Sequence, residues 1–153
     1  MHTSFPATVQ SVFIAYGTSL QQSDGWQKDR RGGLWAVYAT RSYVEHHGRP
    51  ERTHDLNQHL VVAFDGEIAN YAAARWFRSV APRAKIAARS DNWAAFVATM
   101  KTGVGLAPLP IHHGDREKEL VRLIDTEPRV VSQFWLLMHP DMRHTPRVRA
   151  FFD

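Results

Sequence analysis

The stretch Ile86–Pro110, IAARSDNWAAFVATMKTGVGLAPLP, constrains the fold more than any other part of the chain. A short apolar run ends at Arg89. Ser90 and Asp91 then offer side-chain oxygens to the unpaired N–H groups of a new helix. Trp93, Phe96, Val97 and Met100 follow at i, i+3, i+4 and i+7, which makes one apolar stripe. Gly103 stands where a helix needs a residue tolerant of the left-handed conformation. Val104–Leu109 is a second short apolar run, closed by Pro108 and Pro110. Strand, capped helix and strand make one βαβ unit of a mainly parallel sheet. Open parallel sheets bind ligands beyond the carboxyl ends of their strands, where helix N-termini point.

The rest of the chain extends this pattern. Ser11–Tyr16, Leu34–Ala39, His59–Phe64, Ala84–Ala88, Glu119–Ile124 and Val130–Met138 read as strands. Gly17–Gly33 is polar and glycine-rich and reads as a loop. Thr40 caps a predicted helix that runs to Gly48. Thr53–Gln58 reads as one helical turn. Glu67–Val80 reads as a helix, with Ile68, Ala72, Trp76 and Val80 on one face beside Ala73 and Phe77. His112–Lys118 reads as loop and helical turn. Thr145–Pro146 opens a last helix with Val148, Phe151 and Phe152 on its apolar face. Strands alternating with helices mean an α/β fold.

With 153 residues the chain can form one domain with a real core or two small lobes. Its 19 Lys and Arg against 15 Asp and Glu give a net charge of +4. They are scattered, and a nucleic-acid surface needs clustering. The absence of Cys excludes disulfides, thiolate metal sites and thiol nucleophiles. No apolar run reaches the roughly 18 residues of a membrane span, and MHTSFPATVQS lacks the pattern of an export signal. The expected setting is cytoplasmic, with no membrane partner. Of the nine His residues, His54 and His59 are five apart and His46–His47 and His112–His113 are adjacent pairs, spacings that suit no shared metal. No nucleophile elbow or phosphate-binding loop occurs. The Gly103–Gly105 pair ends a helix, where a dinucleotide fingerprint would open one. No cofactor, metal or catalytic residue is therefore expected.

Three segments in order carry a family resemblance. They are WAVYATRSYVEHHGRPERTHDLNQH, then KIAARSDNWAAFVATMKTGVGLAPLP, then LVRLIDTEP followed by FWLLMHPDMRHTPRVRAFFD. Together they resemble the effector-binding domain of LysR-type transcriptional regulators over about Ser11–Asp153. The resemblance implies a periplasmic-binding-protein type 2-like fold with one lobe complete and the other partial. Residues 1–33 would be a residual first-lobe strand and loop, residues 34–131 the second lobe, and residues 132–153 the return strand and C-terminal helix of the first lobe. It also implies that the helix-turn-helix domain and most of the first lobe are lacking, so DNA would be reached only through a domain absent from this chain. A small-molecule effector and a second copy of the chain, as a homodimer, are the implied partners. A solute-binding protein of the same fold and a non-functional gene fragment are the alternatives.

The implied effector site lies in the cleft between the lobes. Ser90, Asp91 and Asn92 would form its polar rim, unless they only cap the helix. Phe64 and Asp65, before Gly66, would face the same cleft or form a plain surface turn. Leu109 and Pro110 would supply an apolar wall or merely end a strand. Tyr16 would approach from the first lobe. Trp93, Phe64 and Trp35 would suit an aromatic guest or belong to the core. A His at the position of His59 reads as structural and hydrogen-bonded.

Overall fold

The structure, a computed structural model, describes residues 13–17, 27–126 and 129–137, with side chains over 33–126 and 129–131. The chain divides into two compact units, one of Met1–Gly32 with Gln133–Asp153 and one of Gly33–Ser132. In the first unit, β1 (Phe13–Gly17) pairs antiparallel with β7 (Val131–Leu137), with Tyr16 opposite Phe134. The predicted helix after Thr145 lies outside the described residues.

The second unit begins on β2 (Gln27–Thr40). Residues expected as loop from Gln27 to Gly33 are therefore strand. Backbone pairing overrides the weak β propensity of Gly and charged residues, because propensity in sheets follows the neighbours a strand finds. Trp35 to Thr40 are all buried. This follows from the strand's central place: it pairs antiparallel on one side with β5 (Ala107–Pro110) and on the other with β6 (Leu120–Asp125). Strands covered on both faces read as unbroken apolar runs.

β3 (Leu60–Phe64) pairs parallel with β4 (Lys85–Ser90). A parallel bridge between Val61 and Leu106 joins this pair to the start of β5. Val62 N–H donates to Leu106 O at 3.0 Å, and Leu106 N–H donates to Leu60 O at 2.9 Å. The resulting order is β4, β3, β5, β2, β6, in which β2 runs against the other four. The sheet is thus mainly parallel, as expected, with β2 as its antiparallel member.

Four helices connect these strands. α1 (Arg41–His47) starts at Thr40, whose side-chain oxygen accepts from Tyr43 N–H at 3.1 Å. The predicted Glu67–Val80 helix is broken into a 3₁₀ turn over Gly66–Asn70 and α2 (Ala72–Val80). The break is at Tyr71, whose ψ of 145° is extended. Arg75 and Arg78 donate to Asn70 O and Ala69 O, at 2.6 and 2.9 Å, and satisfy carbonyls that the interruption leaves unpaired. Asn57 reaches the far end of α2, donating to Val80 O at 3.2 Å and accepting from Arg83 N–H at 2.9 Å. α3 (Trp93–Lys101) buries Phe96, Val97 and Met100, as its stripe requires. α4 (Ile111–Gly114) is a single turn. Gly114 packs so closely on the Tyr38 ring that a Cβ there would stand 2.4 Å from Cζ.

Among the described residues, no helix is long and apolar enough to cross a membrane.

Candidate functional site

The turns that follow β3 and β4 meet at the start of α3. Asp65 N–H donates to Ser90 O at 2.8 Å, which ties the two turns together. Gly66 lies against Asp91, and a Cβ on Gly66 would stand 3.1 Å from the Asp91 Cβ. A register shift in the β3–β4 ladder decides which side chains face this point. Val61 lies opposite Ile86, but Val62 lies opposite Ala88, so Ala87 is an extra residue in β4. Simple alternation would put Ser90 on the same face as Ile86. The bulge instead sets Ser90 opposite Phe64, on the face that α3 covers.

The cap of α3 differs in detail from expectation. Ser90 and Asp91 were the expected oxygens, yet the N-cap is Asn92, whose Oδ1 accepts from Ala95 N–H at 3.1 Å. Ser90 Oγ donates instead to Asn92 O at 3.1 Å, and fixes the turn one step upstream. A cap must be extended while its carbonyl begins the helix, and Asn92 at φ −122°, ψ 132° meets that condition. Asp91 and Asn92 are exposed and Ser90 is half-buried, so this helix end opens to solvent.

Behind the rim is a block of aromatic rings. Phe64 stacks on Phe96 at 4.0 Å and on Trp93 at 6.3 Å. Trp35 meets Phe64 and Trp93 edge-on at 6.5 and 6.3 Å. Trp35 is 1% and Phe64 6% exposed, so these rings are core. Trp93 is half-buried and is the ring of this block nearest to solvent. Pro110 pairs with Trp35 and Leu109 with Ala36, and both are buried at the end of β5. His113 meets the Trp93 ring edge-on at 5.4 Å. Its Nε2 is shielded from water and stands 3.8 Å from Glu117 Oε1, beyond hydrogen-bond reach.

Seven of the eight expected residues therefore gather at the carboxyl ends of β3, β4 and β5. Ser90, Asp91, Asn92 and Asp65 form the polar face, and Phe64, Leu109 and Pro110 the buried support. Tyr16 belongs to β1 in the other unit. Sequence reasoning did not single out His113, because adjacent His residues in a polar stretch carry no signal of burial.

The chemistry available here is polar recognition. Helix amides and a dipole of positive sign favour an anionic or hydrogen-bonding ligand group, while the Asp65 and Asp91 carboxylates oppose net negative charge. Among the described residues, no cluster of three metal-ligating side chains occurs.

In the regulatory domain of CrgA, a LysR-type transcriptional regulator from Neisseria meningitidis, 71% of the chain is covered by 90% of this one, with 17% identity and a TM-score of 0.64. For the regulatory domain of AphB in Vibrio vulnificus the shares are 72% and 93%, with 16% identity and a TM-score of 0.60. Full-length CbnR, solved with its target DNA, is matched over 49% of its length by 91% of this chain, with 14% identity and a TM-score of 0.57. These likenesses establish the fold as α/β and periplasmic-binding-protein type 2-like. No curated protein matches by sequence. The family described as "LysR substrate binding domain" matches residues 35–153, and the chain belongs to that family.

Proposed function

We propose that this chain is a sensor that takes up a small-molecule effector at the rim formed by Gly66, Ser90, Asp91 and Asn92, and that it performs no chemistry on it. The observation that carries this reading is the hydrogen bond from Asp65 N–H to Ser90 O, which holds two strand-end turns around an open helix N-terminus. Asn92 and Ser90 supply fixed polar groups, Trp93 an apolar surface, and Leu109 and Pro110 stiffen the support beneath. The effector shifts the protein between conformations by no more than its difference in affinity for them. DNA contact belongs to a separate helix-turn-helix domain, and the working form is a cytoplasmic homodimer.

The reading is tested by thermal-shift screening of small organic acids, alcohols and amines, followed by titration of any hit against Ser90→Leu. The expected result is saturable binding that the larger side chain abolishes while the circular dichroism spectrum is retained. Hits that bind Ser90→Leu as well as the parent protein would contradict it.

A further inference from the structure

Among the described residues, only His113 has a buried side-chain nitrogen without a hydrogen-bond partner. Its Nε2 is shut off from water and faces Glu117 Oε1 at 3.8 Å. The same ring packs edge-on against Trp93, at 5.4 Å and 71°. A neutral imidazole gains nothing in this place. An Nε2–H would lack an acceptor within reach, and a bare Nε2 would turn its lone pair on a carboxylate. Polar groups left in this way are rare in folded proteins.

The carboxylate is fixed and has room for one more donor. Lys101 holds Glu117 Oε2 at 2.9 Å and reaches Glu119 at 3.3 Å, which leaves Oε1 turned to the imidazole. The Glu117 backbone is tied as well: its N–H donates to Gly114 O at 3.2 Å, and its O accepts from Leu120 N–H at 3.0 Å. A charge-assisted hydrogen bond spans about 2.7–2.9 Å, so forming one here requires the imidazole to move by about 1 Å. Trp93 is in contact with that ring and must follow it.

The charges around the turn leave this pair as the open one. Lys101, at the end of α3, is already matched by Glu117 and Glu119. On β2 the Tyr38 hydroxyl donates to Asp115 Oδ1 at 2.7 Å, and on β6 Arg122 pairs with Asp125 at 2.6 Å. β5, Ala-Pro-Leu-Pro, contributes no titratable group. His112 and Arg116 are the cationic neighbours on the turn itself. Burial, and then His113 and Arg116, hold His112 below its usual 6.5, so it stays neutral where an ordinary imidazole charges.

We propose that His113 is the positioning residue of Trp93 and acts as a proton-operated switch: on taking a proton from solvent its ring closes on Glu117 and re-seats the indole. The switch belongs to the chain without ligand. Its consequence, that acid alters the apolar side of the rim, rests on the effector reading above.

The test is a pH titration of the isotope-labelled chain with no ligand present, followed by NMR at His113 Cε1–H and the Trp93 indole N–H, over the range from about 8 to about 5 in which imidazoles charge. The two signals should move together with one midpoint. His113→Gln should hold the Trp93 signal still. Glu117→Gln, whose amide carries no charge to attract the imidazolium, should reduce its movement. His112→Gln should leave the movement intact. A contact that only packs would shift Trp93 on substitution but not with pH. The parent chain alone gives the decisive comparison, so a folding defect in a variant leaves the test standing. A Trp93 signal that ignores the His113 titration would overturn the proposal. So would one that still moves with pH in His113→Gln, moves undiminished in Glu117→Gln, or stops moving in His112→Gln. No effector takes part, so failure here and failure of the rim reading are separate results.

Discussion

The Tyr43 hydroxyl stands 3.1 Å from Nδ1 of His59, and it also accepts the Leu60 N–H at 2.9 Å. One oxygen thus links α1 to the first residue of β3 and to a buried imidazole, while His47 stacks on the Tyr43 ring at 4.3 Å. Burial, and then the nearby His47, hold the His59 pKa below its usual 6.5. The unfolded chain therefore binds this proton at a higher pH than the folded chain does. Stability from His59 is complete above about 6.5 and is lost as the pH falls through the lower folded value. Denaturation midpoints should decline on acidification through this window, and His59→Gln should flatten the decline. A midpoint that rises on acidification would contradict the assignment.

Removing the same hydroxyl tests the link directly. Tyr43→Phe leaves the Leu60 N–H and the His59 ring without their partner. A loss of about 1–3 kcal/mol in urea unfolding is expected, with an unchanged dependence on denaturant. A loss below a few tenths of a kcal/mol would mean that water replaces the hydroxyl.

Phe64 is the aromatic support of the proposed rim. Phe64→Ala removes its stacking on Phe96 and Trp93 and opens a cavity under α3. The expected cost is about 3–5 kcal/mol. Trp93 fluorescence should shift to the red as its neighbour is lost.

At Gly105 the constraint is space. A Cβ there would stand 2.8 Å from Leu60 O, the carbonyl that accepts the Leu106 N–H. Backbone cannot retreat without breaking the join between β3 and β5. Gly105→Ala should therefore destabilise the chain by about 1–3 kcal/mol, as overpacking does. Calorimetry would show this as a lowered Tm, and an unchanged Tm would contradict the close approach.

The helix cap offers a smaller and graded effect. Asn92→Ala should cost about 1 kcal/mol, and Asn92→Asp should recover it because a carboxylate also suits the dipole. If Ser90→Ala costs more than Asn92→Ala, the cap assignment is wrong.

These sites differ in how far the residues alone disclose them. The apolar stripe on α3, the cap at Thr40 and the positive φ of Gly103, at 79°, all follow from local chemistry that one segment contains. The exchange of cap from Ser90 and Asp91 to Asn92 does not, because three capping residues in a row leave the first helical residue open. The bulge at Ala87 is also hidden in the chain: Lys85–Ser90 holds no glycine or proline to mark it. That one extra residue decides that Ser90 joins Phe64 and that Arg89 joins Ile86. The break at Tyr71 is similarly silent, since an unbroken period of apolar residues crosses it. The Gln27–Gly33 strand depends on partners remote in sequence, which no local pattern encodes.

The central claim is that effector contact occurs where the turns after β3 and β4 close on the start of α3. Its most direct measurement is the set of magnetisation-transfer contacts between a bound compound, taken from the small-molecule screen, and the backbone amides of the labelled chain. The account predicts contacts to Gly66, Asp91, Asn92 and Trp93. Contacts confined to β6 or α1, with those four amides silent, would contradict it.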